Sequence, residues 1–269
     1  MKLLNGADLA SYIKQRQASE VRSIVQSLRV VPKLVIIRTN PDPIVDTYMH
    51  LKERYGADIG IEVQVETVNQ NNAIDVILGH NKDKSVHGII VQIPLPDVSQ
   101  TDEILNTVDP SKDVDGLATK TLFDPATPVA INWLLAGYNI DLSGKNIVLV
   151  GNGRLVGRPL AKIWQASDLS VTVTDSKTDN LSDIIKDADI LVCATGVPGI
   201  ITAKMVKDKA VIVDAGVATD SNGLVGDVSK DVRNLSDITI TPEKGGVGPL
   251  TVCALFENVI KSARAAVAN

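Results

Sequence analysis

The chain has 269 residues, room for two domains of ordinary size. A net charge of −5 offers no broad basic surface to a nucleic acid, and two cysteines without a CxxC pair argue against a disulfide framework. Aromatics are only 3% of the residues, so the core must be built of Val, Ile, Leu and Ala, as in buried parallel strands flanked by helices. Three scattered histidines (His50, His80, His87) give no metal-ligand spacing, so no metal is expected. The N-terminal segment has no apolar signal region, and no apolar run approaches the ~18 residues of a membrane span. The expectation is a cytoplasmic protein that binds neither nucleic acid nor membrane.

In chain order, Leu9, Tyr12, Ile13, Val21, Ile24, Val25 and Leu28 recur at helical spacing, which predicts a helix over 7–29 that Pro32 ends. Lys33–Arg38 is a β-branched run and predicts a buried strand. Asn40-Pro41-Asp42-Pro43 is a turn signal. A helix over 44–56 closing at Gly56, a strand over 61–65, a short helix over 73–78 and a strand over 86–91 follow. Residues 97–128 read as loop with a short helix near 100–107, and a helix follows from Val129 to Tyr138. The second half restarts the alternation. Strands are predicted at 146–150, 170–174, 190–194, 210–214 and 238–241, and helices at 154–166, 180–187 and 250–266. Such alternation predicts βα units and parallel sheets, with a division between 120 and 140.

One turn carries a chemical signal. Gly151-Asn152-Gly153 and Gly157 follow a predicted strand and open a predicted helix, the setting of a dinucleotide fingerprint. Glycine lets the backbone approach a pyrophosphate, and the helix N-terminus offers it free N–H groups. The spacing is one residue longer than the usual fingerprint, and an αβ turn with packing glycines would read the same. Asp175 ends the next strand, about 20 residues on, where an acidic residue meets ribose hydroxyls. Asp214-Ala215-Gly216-Val217 ends a later strand at the same sheet edge.

Other features are weak singly. Tyr48 and Lys52 share one helix face, Gln92 ends an apolar strand, and Lys112-Asp113-Val114-Asp115-Gly116 forms a loop. Gly245-Gly246-Val247-Gly248-Pro249 reads as a backbone-dominated connector before the last helix.

Taken in order, these segments resemble the bifunctional methylenetetrahydrofolate dehydrogenase/methenyltetrahydrofolate cyclohydrolase (FolD) family over nearly the whole chain. Tyr48 to Lys52, followed by Gly60-Ile61, resembles its Tyr-x-x-x-Lys helix. Val91 to Pro96 resembles its VQLPLP segment, and Lys112 to Gly116 matches its KDVDG loop. Pro125 to Pro128 resembles its PCTP turn, Leu155 to Pro159 part of its phosphate turn, and Gly245 to Thr251 its GGVGPMT loop. The resemblance implies an N-terminal α/β folate-binding catalytic domain (1–127, with helix 252–269 packing back on it), a Rossmann-type dinucleotide-binding domain (128–251) and a cleft between them. It implies oxidation of 5,10-methylenetetrahydrofolate with NAD(P)+, hydrolysis of the methenyl product to 10-formyltetrahydrofolate, a role in purine biosynthesis, and a homodimer.

By position, Lys52 becomes the acid/base residue of the hydrolysis, Tyr48 orients the folate ring, Gln92 tunes Lys52, and Asp115 holds the pterin edge. Gly248 and Pro249 line the folate pocket. Gly151, Asn152, Gly153, Arg154, Gly157, Asp175, Ser176 and Val217 bind the cofactor. Four departures bear on these roles. The family's Gly-Arg-Ser turn is here Gly151-Asn152-Gly153, and its His-Ser-x-Thr is Asp175-Ser176-Lys177-Thr178. Loss of the arginine and the arrival of Asp175 favour NAD, family habit favours NADP, and Arg154, Arg158, Ser176 and Lys177 could compensate, so both cofactors stay open. Glu243 and Lys244 alter the late loop, and the loop before Tyr48 is longer than usual. The competing readings are another two-domain Rossmann oxidoreductase, of shikimate- or amino-acid-dehydrogenase type, and a non-catalytic folate- or nucleotide-binding module.

Overall fold

A computed structural model describes residues 1–40, 43–220 and 223–268; the side chains of 41–48 and 220–222 and of the last three residues lie outside that description. The elements are β1 (Lys2–Leu3), α1 (Gly6–Leu28), β2 (Lys33–Arg38), α2 (Pro43–Ile59), β3 (Glu62–Thr67), α3 (Ala73–Lys82), β4 (Gly88–Gln92), α4 (Thr101–Thr107) and α5 (Ala126–Gly137). They continue with β5 (Ile147–Val150), α6 (Gly157–Ala166), β6 (Val171–Thr174), α7 (Leu181–Ile185), β7 (Ile190–Cys193), β8 (Val211–Asp214), β9 (Ala218–Asp220), β10 (Gly223–Val225), β11 (Thr239–Ile240) and α8 (Val247–Ala268). The chain divides into two units, one of residues 11–126 with 252–269 and the other of 1–10 with 127–251.

The first unit is built on a parallel sheet in the order β3-β2-β4. Its centre, β2, buries Leu34, Val35, Ile36 and Ile37 completely, as a strand covered on both faces must. Val35, Ile37, Ile89 and Val91 pack with Ala73 and Ile77 of α3 and Leu105 of α4. Each such buried aliphatic side chain contributes about 1.5–3 kcal/mol. Phe256, Val259, Ile260 and Ala263 of α8 are fully buried, and the Phe256 ring lies 4.9 Å from that of Tyr55.

The second unit holds a six-stranded sheet in the order β1-β11-β8-β7-β5-β6, every pairing parallel. Counting from β5, its five long-range strands follow the order 2-1-3-4-5, a doubly wound sheet whose direction of travel reverses between β5 and β7. The β-branched runs seen in the sequence supply its core, with Val148, Val150, Leu191, Cys193, Ile212 and Ile240 all buried.

Several expectations need correction. Residues 1–10, grouped with the first domain in the sequence reading, contribute β1 to the edge of the six-stranded sheet through its pairing with β11. A two-residue strand has no periodicity to read. Helix α2 does not close at Gly56. It runs on to Ile59 and ends at Gly60, whose φ of +86° allows Ile61 N–H to reach the Gly56 carbonyl at 2.8 Å. Gly56 instead serves packing, since a Cβ there would lie 2.4 Å from Val63. Pro32 is not the stop of α1; Arg29 in the left-handed region is the first residue past it. Helix α5 starts at Ala126 rather than Val129, because Pro128 is tolerated in a first turn. The β9–β10 hairpin was not anticipated. Within the expected turn at 40–43, Pro41 and Asp42 lie outside the described residues.

Candidate active site and dinucleotide edge

In the three-stranded unit, parallel strands bring the ends of β2, β3 and β4 to one edge, where ligands of α/β sheets bind. Gln92 is the last residue of β4, in register with Arg38 of β2. From α2, Lys52 reaches across and donates to Gln92 Oε1 at 3.2 Å. The Gln92 amide nitrogen donates in turn to the Ile93 carbonyl at 3.1 Å, which fixes the amide oxygen toward the lysine. The peptide bond between Ile93 and Pro94 is cis. The backbone of Tyr48 belongs to α2, one turn before Lys52. Its side chain lies outside the described residues.

Asp115 is near enough to act electrostatically on the same lysine. Its position is set by the whole segment around it. Lys112 is not a free loop lysine: its ammonium donates to the carbonyls of His80, Asn81 and Asp83, at 2.9, 2.9 and 2.7 Å, and closes the C-terminus of α3. The Lys112 carbonyl accepts from Ile89 N–H at 2.8 Å. Asp113 is buried and accepts from the N–H of Ala118 at 3.0 Å, bracing the turn that Gly116 makes with φ +69°. The first aspartate of the KDVDG sequence is therefore structural, and the second acts electrostatically on Lys52.

Burial holds the Lys52 amine below the ordinary lysine range, and the charge of Asp115 opposes that shift. Burial likewise lifts Asp115 above the ordinary carboxylate range; Lys52 opposes this, and Asp113 adds to it. The arrangement is an amine that can lose its proton more readily than a surface lysine, held by a neutral amide and watched by one carboxylate. That suits proton transfer.

The second edge lies in the six-stranded unit, at the reversal between β5 and β7. Gly151 has φ +107°, and a Cβ on it would lie 2.4 Å from the Ala194 carbonyl oxygen after β7. A Cβ on Gly157 would lie 1.8 Å from the Gly151 carbonyl, so the first turn of α6 and the end of β5 touch through backbone. Gly153 differs, because nothing in the protein lies within 4 Å of where its Cβ would be. The space is open above the start of α6, whose N-terminus has no side-chain cap. These features fit a pyrophosphate, which takes up free N–H groups at close range. The helix starts at Gly157 rather than 154, since residues 151–156 are spent on this turn. Asn152 and Arg154 are exposed on it.

Asp175 and Ser176, both exposed, follow β6, the neighbour of β5. Asp175 accepts from Lys177 N–H at 2.9 Å, which shapes its own loop. Val217, exposed at 58%, follows β8. Behind it, two buried carboxylates that sequence reasoning did not single out as a unit lock the edge. Asp214 accepts from the N–H groups of Gly216, Asp227 and Val228 at 3.1, 3.0 and 3.1 Å, and Asp227 accepts from Thr195 N–H after β7. Their partner glycines were the available signal: a Cβ on Gly216 or Gly226 would lie 2.1 Å from the carboxylate of Asp227 or Asp214.

Gly248 and Pro249 fall in the first turn of α8, not in a connector. The preceding Gly245-Gly246 pair is held against the chain start, where Ala7 N–H donates to the Gly245 carbonyl at 2.9 Å. A Cβ on Gly6 would lie 1.9 Å from the Gly246 oxygen. Among the described residues, no group of three or more His, Cys, Asp or Glu is arranged to hold a metal ion, and no helix is long and apolar enough to cross a membrane. Cys193 and Cys253 are both buried.

Residues 4–115 match the catalytic domain of the tetrahydrofolate dehydrogenase/cyclohydrolase family, and residues 125–267 match its NAD(P)-binding domain. The chain belongs to this family. A bifunctional protein FolD from Streptococcus uberis is 36% identical over 97% of both chains. The crystal structure of the bifunctional dehydrogenase/cyclohydrolase FolD from Campylobacter jejuni superimposes with a TM-score of 0.92 at 35% identity, covering 98% of this chain and 99% of that one. The Trypanosoma brucei methylenetetrahydrofolate dehydrogenase-cyclohydrolase, solved with NADP and an inhibitor, gives 0.92 at 28% identity over 99% of this chain and 98% of that one. The two-domain α/β fold with a doubly wound NAD(P)-binding half is thus common to the family and to this chain. Membership sets aside the shikimate-type oxidoreductase reading.

Proposed function

We propose that this chain oxidises 5,10-methylenetetrahydrofolate with a nicotinamide dinucleotide and hydrolyses the methenyl product to 10-formyltetrahydrofolate. The observation that carries the reading is the Lys52–Gln92 hydrogen bond of 3.2 Å, with the charge of Asp115 acting on the same amine, in a chain of this family. Asp115 accepts from the amino and ring N–H donors of the pterin, because one carboxylate takes two such bonds side by side. Tyr48 orients the folate ring.

The methenyl carbon is cationic, so a permanently charged amine beside it would raise the barrier. Lys52, depressed by burial, takes a proton of the attacking water as the C–O bond forms and the C=N π electrons return to nitrogen. The C–N5 bond of the hydroxyl adduct then breaks as the lysine returns that proton to N5 and the hydroxyl proton leaves to solvent, so the formyl group stays on N10. Gln92 holds the amine in place without adding charge. The dinucleotide, when bound, accepts the hydride from the methylene carbon. Gly151, Asn152, Gly153, Arg154 and Gly157 with the N-terminus of α6 would hold its pyrophosphate, Asp175 and Ser176 its adenosine ribose, and Val217 its nicotinamide end. Asp175 is the ground for proposing NAD over NADP: a carboxylate accepts from a free 2′-hydroxyl and repels a 2′-phosphate. The family resemblance supports a homodimer, which sedimentation of the purified protein tests, and a cytoplasmic location, which cell fractionation tests.

The deciding experiment follows reduced nicotinamide and the methenyl chromophore during incubation with 5,10-methylenetetrahydrofolate and NAD or NADP. Reduction with NAD at higher kcat/KM, without methenyl accumulation beyond its spontaneous decay, is expected. No reduction with either cofactor overturns the dehydrogenase, and persistence of added methenyltetrahydrofolate overturns the cyclohydrolase.

A further inference from the structure

The loop that carries Asp115 leaves and returns through a narrow neck. Gly116 forms one side of it. A Cβ there would lie 2.8–3.0 Å from the Phe123 carbonyl oxygen, the Asp124 carbonyl carbon and the Pro125 nitrogen, so the two limbs touch through backbone. Asn258, on α8 and only 5% exposed, spans the neck. Its side-chain amide donates one hydrogen to the carbonyl of Val114, immediately before Asp115, at 2.9 Å. It donates the other to the carbonyl of Asp124 on the returning limb, at 3.0 Å. A buried primary amide satisfies both donors at once only when the two limbs keep this spacing, and an unmet buried donor is costly. One turn further along α8, Ser262 Oγ donates to the Ser111 carbonyl at 2.8 Å, where the same segment enters.

We propose that Asn258 is a positioning residue for Asp115: it clasps the neck of the loop and so fixes the carboxylate against Lys52 and toward the folate. The inference rests on the folate-facing reading of Asp115. Both amide hydrogens of Asn258 go to main-chain carbonyls, so its effect on chemistry passes through loop geometry. Misplacing a substrate-holding group by an ångström is enough to cost about 10²-fold in rate.

The test compares Asn258→Leu, which keeps the volume and removes both donors, with Asn258→Gln, which keeps the amide, and with Ser262→Ala, which loosens the outer anchor. Asn258→Leu is expected to raise KM for methylenetetrahydrofolate and lower cyclohydrolase kcat by about tenfold each, with KM for the dinucleotide unchanged. Asn258→Gln recovers part of the loss, and Ser262→Ala loses less than about threefold. In an Asp115→Asn background, Asn258→Leu adds less than about twofold, because the group it positions is already gone. An equal loss in both backgrounds, or an equal rise in dinucleotide KM, would mean a general structural role and overturn the proposal.

Amide hydrogen exchange at Gly116, Leu117 and Ala118 separates the two readings. If Asp115→Asn leaves the folate KM unchanged, the folate role of Asp115 fails, and faster exchange in Asn258→Leu still supports the clasp. Unchanged exchange overturns the clasp by itself. Should Asn258→Leu not fold, Asn258→Ser, read by the same exchange and kinetics, carries the test.

Discussion

At the residue scale, the proposed chemistry rests on Lys52, whose amine burial and the charge of Asp115 push in opposite directions. Lys52→Met is expected to remove cyclohydrolase activity while leaving folate binding largely intact; hydrolysis of methenyltetrahydrofolate at the parental rate would show that Lys52 is not the acid/base group. The sign of the pH dependence follows from the environment. Burial depresses Lys52 and Asp115 raises it, so removing the carboxylate charge lets the amine fall further. The limb of the cyclohydrolase pH profile that rises as Lys52 loses its proton therefore moves to lower pH in Asp115→Asn. A limb that stays in place or moves upward would break the electrostatic link. At the cofactor edge, Asp175→Ser is expected to raise kcat/KM for NADP relative to NAD by about tenfold or more, the loss of one carboxylate–phosphate repulsion. An unchanged ratio means that Asp175 does not face the ribose.

At the scale of elements, the glycines of the β5–α6 turn separate into two kinds. Gly157 is fixed by the protein, since its Cβ would overlap the Gly151 carbonyl at 1.8 Å. Gly157→Ala should lower stability by about 1–3 kcal/mol and weaken the cofactor together with it. Gly153 has open space where a Cβ would go. Gly153→Ala should leave the thermal midpoint within about a degree and raise the KM for the dinucleotide about tenfold, because the ligand, not the protein, needs that space. Equal midpoint losses in the two variants would assign both glycines to packing. The sequence pattern carried this turn, since strand, glycines and helix are contiguous. It could not rank the glycines, because what each one touches comes from β7 and from the turn's own return.

At the scale of the molecule, each unit is completed by a segment from the far end of the chain. Residues 252–269 group with 11–126, and they bring the buried Phe256, Val259, Ile260 and Ala263 as well as the Asn258 clasp. A chain ending at Thr251 should lose the cooperative unfolding of the three-stranded unit, since several large buried side chains outweigh the ~5–15 kcal/mol that holds a domain. Circular dichroism melts of the truncated and full chains check this; an unchanged melt would mean that α8 is dispensable. Deleting residues 1–3 removes only a two-residue edge strand and is expected to cost far less.

The sequence by itself determined the local features. β-branched runs such as Lys33–Arg38 became strands because their burial needs no knowledge of the neighbour, and the amphipathic spacing from Leu9 to Leu28 became α1. The ordered motifs also carried the family. Tertiary structure decided which polar groups meet. Lys52, Gln92 and Asp115 lie on a helix, a strand end and a loop far apart in the chain, and no spacing rule links them. It also decided that Lys112 and Asp113 are used up in capping α3 and bracing a turn, while the charge of Asp115 beside them acts on Lys52. The same holds for the buried Asp214 and Asp227, and for Asn258. A hydrogen bond is directional and short, so whether a polar side chain is structural or functional is settled by what the fold brings within about 3 Å of it.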